Sequence, residues 1–364
     1  MQEKASEAVP SARWIGADVV FADVASASRY HCRSQAASML TLALDGHVWA
    51  SREQAGASVS GRLASGPDNV TVETKVTESR DTAETGDAAA STLAETRLAF
   101  VGAGVMAEAM IAGLLDRCLV RPQQIIASHP REDRRQRLIE RFGIQTTESN
   151  RDAVEQAEIV LLTVKPQALA TVMRQLHGRL APRQVTISIV AGAGIEKLSR
   201  GLGHDAIVRV MPNTPAQIGK GMLVWTATEE VDEGQRNKVK AILGALGEEL
   251  WVEDEKYVDM ATALSGTGPT YVFLMMEALI DAGVHMGFPR RIAEQIVLQT
   301  VAGSVEFARV SGKHMAELRN MVTSPGGTSA EAIYQMEKGG LRTVYSRAVY
   351  AAYQRTKSLA KDDD

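Results

Sequence analysis

One segment of the chain has the pattern of a strand, a glycine turn and a helix. Residues 98–101 are apolar and lead into Gly102-Ala103-Gly104-Val105-Met106-Ala107, after which an apolar periodicity typical of a helix continues through Leu114. In a Gly-x-Gly-x-x-Ala turn the first glycine makes a tight bend, the second leaves room for a pyrophosphate, and the alanine packs helix on strand. The motif alone is weak evidence, but the flanking strand and helix favour dinucleotide binding over a structural turn.

The residues after this turn alternate between apolar strands and helical patterns. Strands as apolar as these are typical of a parallel sheet that is covered on both faces. The fold class predicted is therefore α/β, with a Rossmann-like doubly wound parallel sheet over residues 96–254. The predicted strands are 124–128, 158–164, 184–190, 206–211, 222–226 and one ending at Trp251, and the helices are 131–142, 152–157 and 166–180.

The end of the second strand bears on the choice of cofactor. An NAD-preferring site usually has an acidic residue there, whereas this chain has Ser128 and Arg131, with Arg134 and Arg135 one turn further on. A hydroxyl and a guanidinium can hold a 2′-phosphate, and no carboxylate is present to repel it. We therefore expect NADPH, with NADH also usable. The alternative is that the arginines form a solvated helix face.

Residues 255–360 contain helical patterns only, with long apolar stripes. These faces are too extensive to be buried inside a small monomeric bundle, so we expect an all-α dimerisation domain that packs against a second subunit. The predicted helices are 257–264, 269–283, 289–309, 313–322, 328–338 and 341–359.

A Ser-Pro-Gly-Gly turn precedes one of these helices, far from the glycine turn in sequence. Pro325 ends the preceding helix, Gly326 and Gly327 allow close approach of a ligand, and Ser324, Thr328 and Ser329 add hydroxyls where the next helix begins. Free amides at a helix N-terminus suit a small carboxylate. The alternative is an ordinary helix connection capped by Ser or Thr.

Three motifs in this order resemble the pyrroline-5-carboxylate reductase family over residues 97–360. They are the turn at Gly102, Val-Met-Pro-Asn-Thr-Pro at 210–215, and Leu-Ser-Gly-Thr-Gly-Pro-Thr-Tyr at 264–271 followed by the Ser-Pro-Gly-Gly turn. The family has a Thr-Ser-Pro-Gly-Gly-Thr-Thr-like turn there, and this chain departs from it by ending in Ser329. The resemblance implies NAD(P)H-dependent reduction of 1-pyrroline-5-carboxylate to L-proline, the last step of proline biosynthesis. It also implies an intertwined homodimer, which builds larger rings.

The resemblance also assigns site residues. It places the substrate carboxylate at Ser324, Gly326 and Gly327, beside Thr328, and the Ser329 hydroxyl near the ring nitrogen as the leading candidate for catalysis. The expected cofactor contacts are Gly102, Gly104, Val105 and Met106 for the pyrophosphate, Ser128 and Arg131 for the 2′-phosphate, Asn150, Val164, Lys165 and Pro166 for the adenosine side and ribose, and Ala191, Gly192, Met211, Pro212 and Asn213 for the nicotinamide.

Two other functions stay open. One is another NADPH-dependent imine or keto-acid reductase such as a 3-hydroxyacid dehydrogenase, which the absence of lysine in residues 281–291 disfavours. The other is a non-catalytic NADPH-binding protein, which the hydroxyls of the Ser-Pro-Gly-Gly turn disfavour.

Composition adds limits. A net charge of −4 gives no basic field for nucleic acid, and no apolar run reaches the ~20 residues of a membrane helix. The two cysteines, Cys32 and Cys118, show no metal-ligand spacing and fit a reducing cytoplasm. Residues 1–95 are expected to be disordered or an extension from a wrongly assigned start codon, although 1–50 could form a small element.

Overall fold

The computed structural model describes residue 89 and residues 91–361. The predictions made for residues 1–88 lie outside the described residues. From residue 98 onward the chain builds an α/β region and then a helical region.

The α/β region has an eight-stranded sheet in the order β3-β2-β1-β4-β5-β6-β7-β8. Neighbouring strands are parallel except β6 and β7, which are antiparallel. The fold class predicted from the sequence is confirmed, since the sheet is mostly parallel. The strands are β1 Leu98–Val101, β2 Ile125–Ser128, β3 Gln145–Thr147, β4 Ile159–Leu162, β5 Val185–Ser188, β6 Ile207–Met211, β7 Gly221–Ala227 and β8 Gly247–Trp251.

Helices cover both faces of this sheet. Leu98 and Phe100 of β1 lie in one buried cluster, while the alternate residues Ala99 and Val101 lie in another on the opposite face. This two-residue alternation is the geometry of a strand, and burial on both faces explains why the strands are apolar throughout. The helices of this region are α1 Val105–Asp116, α2 Glu132–Phe142, α3 Asn150–Val154, α4 Pro166–Leu176, α5 Ile195–Leu202 and α6 Glu233–Gly244.

Two features of the sheet differ from the sequence expectation. The edge strand β3 was not predicted, because Gln145–Thr147 is short and polar. Strand β7 runs antiparallel to β6 because only a short 3₁₀ segment, Thr214–Ile218, connects them, and a parallel pair would need a longer crossover.

The helical region begins where the sheet ends. Its first helix, α7, passes directly into a π-helical turn at Thr262–Gly266, whereas the sequence predicted an ordinary helix that ends at 264. The helices are α7 Lys256–Ala261, α8 Gly268–His285, α9 Arg290–Ser311, α10 Met315–Met321, α11 Thr328–Lys338 and α12 Leu341–Lys361. Among the described helices, none is long and apolar enough to cross a membrane.

The helical region has almost no core of its own within one chain. Between residues 264 and 358, all of which are described, only Gly283, Ala293 and Thr356 are buried. Large apolar side chains are exposed instead, including Leu274 at 65% and Phe307 at 53%. Exposed apolar faces of this extent are typical of an interface with another chain.

Candidate active site

The glycine turn between β1 and α1 is built as a dinucleotide cradle. Gly102 has a φ of +93°, and a Cβ there would lie 3.0 Å from the Val164 backbone, so only glycine fits. The Gly102 and Ala103 amides donate to the Ser128 carbonyl at 3.1 and 3.2 Å, which fixes the turn against β2.

The cradle is open at Gly104. This glycine is the N-cap of α1 and has no side chain, so the first-turn amides of the helix have no side-chain cap. The nearest atom to a Cβ on Gly104 would be the Thr163 carbonyl oxygen, 3.9 Å away. This open space and the positive end of the helix suit a pyrophosphate, so the residues present fit a dinucleotide.

A cavity of about 580 Å³ lies beside the turn, at the carboxyl ends of β1, β2 and β4. Ligands of doubly wound sheets bind at this edge, where the strand order reverses between β1 and β4. Four predicted cofactor residues line the cavity: Gly102, Ser128, Asn150 and Val164.

Other residues of the cavity wall were not predicted. Pro130 follows β2, a second group follows β3, and a third has the spacing of one face of α4, which the sequence could have shown. The additional lining residues are Pro130, Glu148, Ser149, Arg151, Ala168, Thr171, Val172 and Gln175.

A row of hydrogen bonds forms one wall of the cavity. The buried Ser128 hydroxyl donates to Asn150 Oδ1 at 2.7 Å, and Asn150 Nδ2 donates to Gln175 Oε1 at 2.6 Å. Each side chain is therefore held by the next, so the polar surface offered to a ligand is fixed in advance.

The arginines after β2 have different surroundings. Arg131 is exposed and paired with Asp133, whose pKa this hydrogen bond lowers, and Arg131 does not line the cavity. Arg134 pairs with the nearly buried Glu108 of α1 and donates to the Ala103 carbonyl at 3.2 Å, so it supports the glycine turn. Arg151 does line the cavity, and its Nε donates to the Gln175 carbonyl at 3.1 Å.

His129 also lies in this loop, between Ser128 and the arginines. Its Nδ1 accepts from the Arg131 amide at 3.1 Å, and partial burial lowers the pKa of the imidazole. A neutral imidazole fits this acceptor role. The sequence analysis did not single out this residue.

Two of the residues predicted for the nicotinamide end, Met211 and Asn213, lie where the two regions of the chain meet. Asn213 Nδ2 donates to Ser265 Oγ in the π-helical turn at 3.2 Å, and Asn213 Oδ1 accepts from the Met222 amide at 3.0 Å. A Cβ on Gly266 would lie 3.3 Å from Met211 Sδ, so the turn packs closely on this loop.

Two further predicted cofactor residues lie at the same edge of the sheet. Lys165 is exposed and precedes Pro166, the first residue of α4, while Gly192 has a φ of +77° in the loop after β5. Both therefore lie at carboxyl ends of parallel strands, next to β4 and β5.

The Ser-Pro-Gly-Gly turn is ordered and open. The Gly327 amide donates to the Ser324 carbonyl at 3.0 Å, and Gly326 has a φ of +70°. Gly327 is the N-cap of α11 and has no side chain, so the amides of Thr328 and Ser329 face outward without a side-chain cap. An anion fits this position.

This turn and the dinucleotide cavity are not joined within one chain. None of residues 324–329 lines the cavity, and Ser324, Gly326 and Thr328 are exposed. A site made of both needs another arrangement of chains or domains.

One buried charged group was missed by the sequence analysis. Arg209, in the middle of β6, is only 3% exposed, and its Nη1 and Nη2 each lie 2.6 Å from a carboxylate, Glu255 Oε1 and Asp259 Oδ1. Glu255 Oε1 also accepts from the Ile195 amide at 2.8 Å. The sequence feature that could have indicated this buried group is an arginine inside an apolar strand pattern.

Comparison with known proteins decides the family. Residues 255–359 match the family model described as pyrroline-5-carboxylate reductase dimerisation, and residues 97–192 match one described as NADP oxidoreductase coenzyme F420-dependent. A pyrroline-5-carboxylate reductase of Synechocystis is 41% identical over 265 residues, covering 73% of this chain and 98% of the relative. The chain belongs to the pyrroline-5-carboxylate reductase family. The resemblance seen in the sequence is confirmed.

Other relatives agree with the assignment to this reductase family. The enzyme of Pseudomonas aeruginosa is 41% identical, over 73% of this chain and 97% of its own. The solved pyrroline-5-carboxylate reductase of Coxiella burnetii aligns with a TM-score of 0.68 at 35% identity, over 73% of this chain and 98% of that one. A Plasmodium falciparum pyrroline carboxylate reductase solved with NADP bound aligns at 0.67 and 31% identity, over the same shares. The dimerisation match supports a homo-oligomer.

Proposed function

We propose that this chain reduces 1-pyrroline-5-carboxylate to L-proline with NADPH, the last step of proline biosynthesis. The observation that carries the proposal is the joint presence of an open cradle at Gly104 and an uncapped, hydroxyl-rich turn at the start of α11. Reductases that bear this activity in their name align with the chain over nearly their whole length.

The reaction makes modest demands on the protein. Bound NADPH would supply a hydride to the imine carbon. The outward amides of the Ser-Pro-Gly-Gly turn and the Ser324 hydroxyl would hold the substrate carboxylate, with Gly326 and Gly327 allowing its close approach. Since a protonated cyclic imine accepts hydride readily, orientation and exclusion of water supply most of the rate. We propose Ser329, acting directly or through water, as the group facing the ring nitrogen.

We propose that the 2′-phosphate of NADPH binds near Ser128 and Arg131. For this contact, Arg131 has to leave Asp133. Arg151 already lines the cavity, so it is a second guanidinium for the same phosphate. For the other cofactor contacts, which lie between Gly102 and Asn213, we propose the same roles that the sequence analysis gave them.

We propose a cytoplasmic homodimer with the active site shared between its two chains, and assembly of dimers into rings. The exposed apolar faces of the helical region support the dimer. The separation of the substrate turn from the cavity within one chain supports the shared site. Residues 96–254 and 255–360 are the proposed domains.

The deciding experiment measures NADPH oxidation by the purified full chain in the presence of 1-pyrroline-5-carboxylate. The loss of NADPH absorbance gives the rate, and proline is detected as the product. Gly104→Asp is the matched control, because it fills the pyrophosphate space and should bind no cofactor. Tight NADPH binding without turnover of this imine would overturn the proposal. Turnover of a 3-hydroxyacid or of a different cyclic imine would favour another reductase, and no turnover at all would favour a non-catalytic NADPH-binding protein.

A further inference from the structure

An ion cluster around one buried arginine connects the two regions of the chain. Arg209 of β6 is held by two charge-assisted hydrogen bonds to Glu255 and Asp259, which lie just before and within α7. The partners are 46 and 50 residues away along the chain, so the cluster exists only in the fold. Burying the Arg209 guanidinium is costly, while its two carboxylate partners are themselves only partly buried, and such ion pairs are often no more stabilising than apolar residues of similar size.

The cluster also carries an internal cost. Among the described residues, Arg209 Nε is one of two buried side-chain atoms without a hydrogen-bond partner. A buried donor left unpaired costs free energy. Stability alone is therefore a poor reason for an arginine at this position.

The position of Arg209 gives a better reason. It lies two residues before Met211, in the strand that leads directly into the loop proposed to bind the nicotinamide. The Glu255 oxygen that binds Arg209 also accepts a hydrogen bond from the Ile195 amide. Ile195 is the first residue of α5, and the loop containing Ala191 and Gly192 ends there. One carboxylate of the helical region thus binds the strand before one loop and the start of the helix after the other.

A second set of contacts involves the loop after β6. Asn213 donates to Ser265, and Gly266 packs against Met211, both from the π-helical turn that follows α7. π-helical turns are frequent at functional sites. The carboxylates and the π-helical turn belong to one continuous stretch, residues 255–266.

We propose that Arg209, with Glu255 and Asp259, is a positioning residue that holds both nicotinamide-end loops at a fixed place relative to the helical region. The inference rests on the proposed function, since it takes these loops to bind nicotinamide. The adenosine half is served by other residues, Ser128 and Asn150, so the two halves of the cofactor respond differently when the cluster is broken.

The test compares two ligands on the full chain by calorimetry, without substrate. Adenosine 2′,5′-bisphosphate reports the adenosine half alone, and NADPH reports both halves. In Arg209→Met we expect the Kd for NADPH to rise about tenfold, while the Kd for the bisphosphate stays within about twofold of the wild-type value. Arg209→Lys keeps one charge but cannot bridge two carboxylates, so it should give an intermediate NADPH affinity.

Two further variants complete the design. Glu255→Gln keeps an acceptor for the Ile195 amide but removes the charge opposite Arg209, and should shift the ratio of the two Kd values in the same direction. It also provides the test if Arg209→Met does not fold. Lys238→Met is the control, because it breaks a half-buried ion pair with Glu158 before β4, at the opposite edge of the sheet.

The control should lower Tm and leave the ratio of Kd values unchanged. If Arg209→Met and Glu255→Gln weaken both ligands in parallel, or leave both at wild-type affinity, the positioning role is wrong. Because no substrate is used, a chain that binds NADPH without reducing 1-pyrroline-5-carboxylate would refute the proposed activity and still give a clear result here.

Discussion

Ser128 is a single hydroxyl whose surroundings decide what it can bind. It is buried at the end of β2, its carbonyl holds the glycine turn, and its hydroxyl donates to Asn150. An acidic side chain at this place would receive ribose hydroxyls and repel a 2′-phosphate. A charge introduced on the side chain at 128 would therefore act on a bound cofactor, whereas the Ser128 carbonyl acts on the glycine turn.

Replacing Ser128 with Asp should shift cofactor preference toward NADH. The added carboxylate repels the 2′-phosphate, so we expect the ratio of kcat/KM for NADPH over NADH to fall about tenfold or more, which corresponds to about 1.4 kcal/mol. Steady-state kinetics with both cofactors measure it. Ser128→Ala, which removes the hydroxyl without adding charge, is the control. An unchanged ratio in Ser128→Asp would mean that the 2′-phosphate is recognised elsewhere, with Arg151 as the first candidate.

At the residue scale, local sequence patterns predicted part of the candidate site. Gly102, Ser128, Asn150 and Val164 were predicted from a motif or a family resemblance, and all four line the cavity. Arg209 was missed, although an arginine between the apolar residues of Ile207–Met211 needs buried partners. Which carboxylates supply them depends on folding, because the partners are far away in sequence.

At the scale of elements, the two glycines of the glycine turn differ in what they are needed for: one for folding, the other for the proposed binding of the cofactor. Gly102 has a positive φ and no room for a Cβ beside Val164, whereas Gly104 has an extended conformation and open space. The two glycines are therefore required for different reasons, and alanine at each position tests them separately.

Gly102→Ala should destabilise the fold, and Gly104→Ala should not. We expect Gly102→Ala to lower the free energy of unfolding by about 1–3 kcal/mol through strain at a positive φ, and by more if Val164 cannot move. Gly104→Ala should keep the wild-type Tm and weaken NADPH binding, because its methyl group enters the pyrophosphate space. Thermal melts and NADPH titrations of both variants measure this. Equal loss of Tm in the two variants would contradict the assignment.

The strands show where sequence patterns fail. Apolar strands such as β4 were predicted because burial on both faces fixes their composition. The edge strand β3 has no such constraint, since Gln145–Thr147 is partly exposed and polar. The direction of β7 depended on the short connection after β6, which a pattern of apolar residues does not encode.

The segment before β1 belongs to the packed α/β region further back than the sequence indicated. Leu93 is fully buried in the main cluster, and Gln124 Nε2 donates to its carbonyl at 2.9 Å. Leu93→Ala should therefore cost about 2–5 kcal/mol. A chain starting at Ala89 should keep the full-length Tm and activity, while one starting at Arg97 should lose stability. Equal melting of the two shortened chains would show that Leu93 contributes nothing.

At the scale of the whole molecule, the helical region needs a partner. Its side chains are exposed along most of 264–358, and contacts within one chain, such as Gly283 against Ala293, bury only small residues. The glycine cradle and the Ser-Pro-Gly-Gly turn, which we propose to bind the substrate, are not joined in one chain. A two-fold dimer that covers the apolar faces and brings one chain's turn to the other chain's cavity meets both requirements.

Complementation between two inactive variants tests the shared site. Gly104→Asp blocks the cradle, and Gly326→Asp places a carboxylate in the turn, where it repels the substrate. A Cβ at either position has space. Gly326 has a φ of +70°, but Asp tolerates this left-handed conformation better than most residues, so both chains should fold. After subunit exchange at equal concentrations, half of the dimers are mixed, and each mixed dimer has one site with both parts intact. About a quarter of wild-type activity should therefore return. If light scattering shows a monomer that is fully active, the dimer is refuted. If the protein is a proven dimer and no activity returns, only the shared site is refuted, because each chain would then carry a complete site of its own.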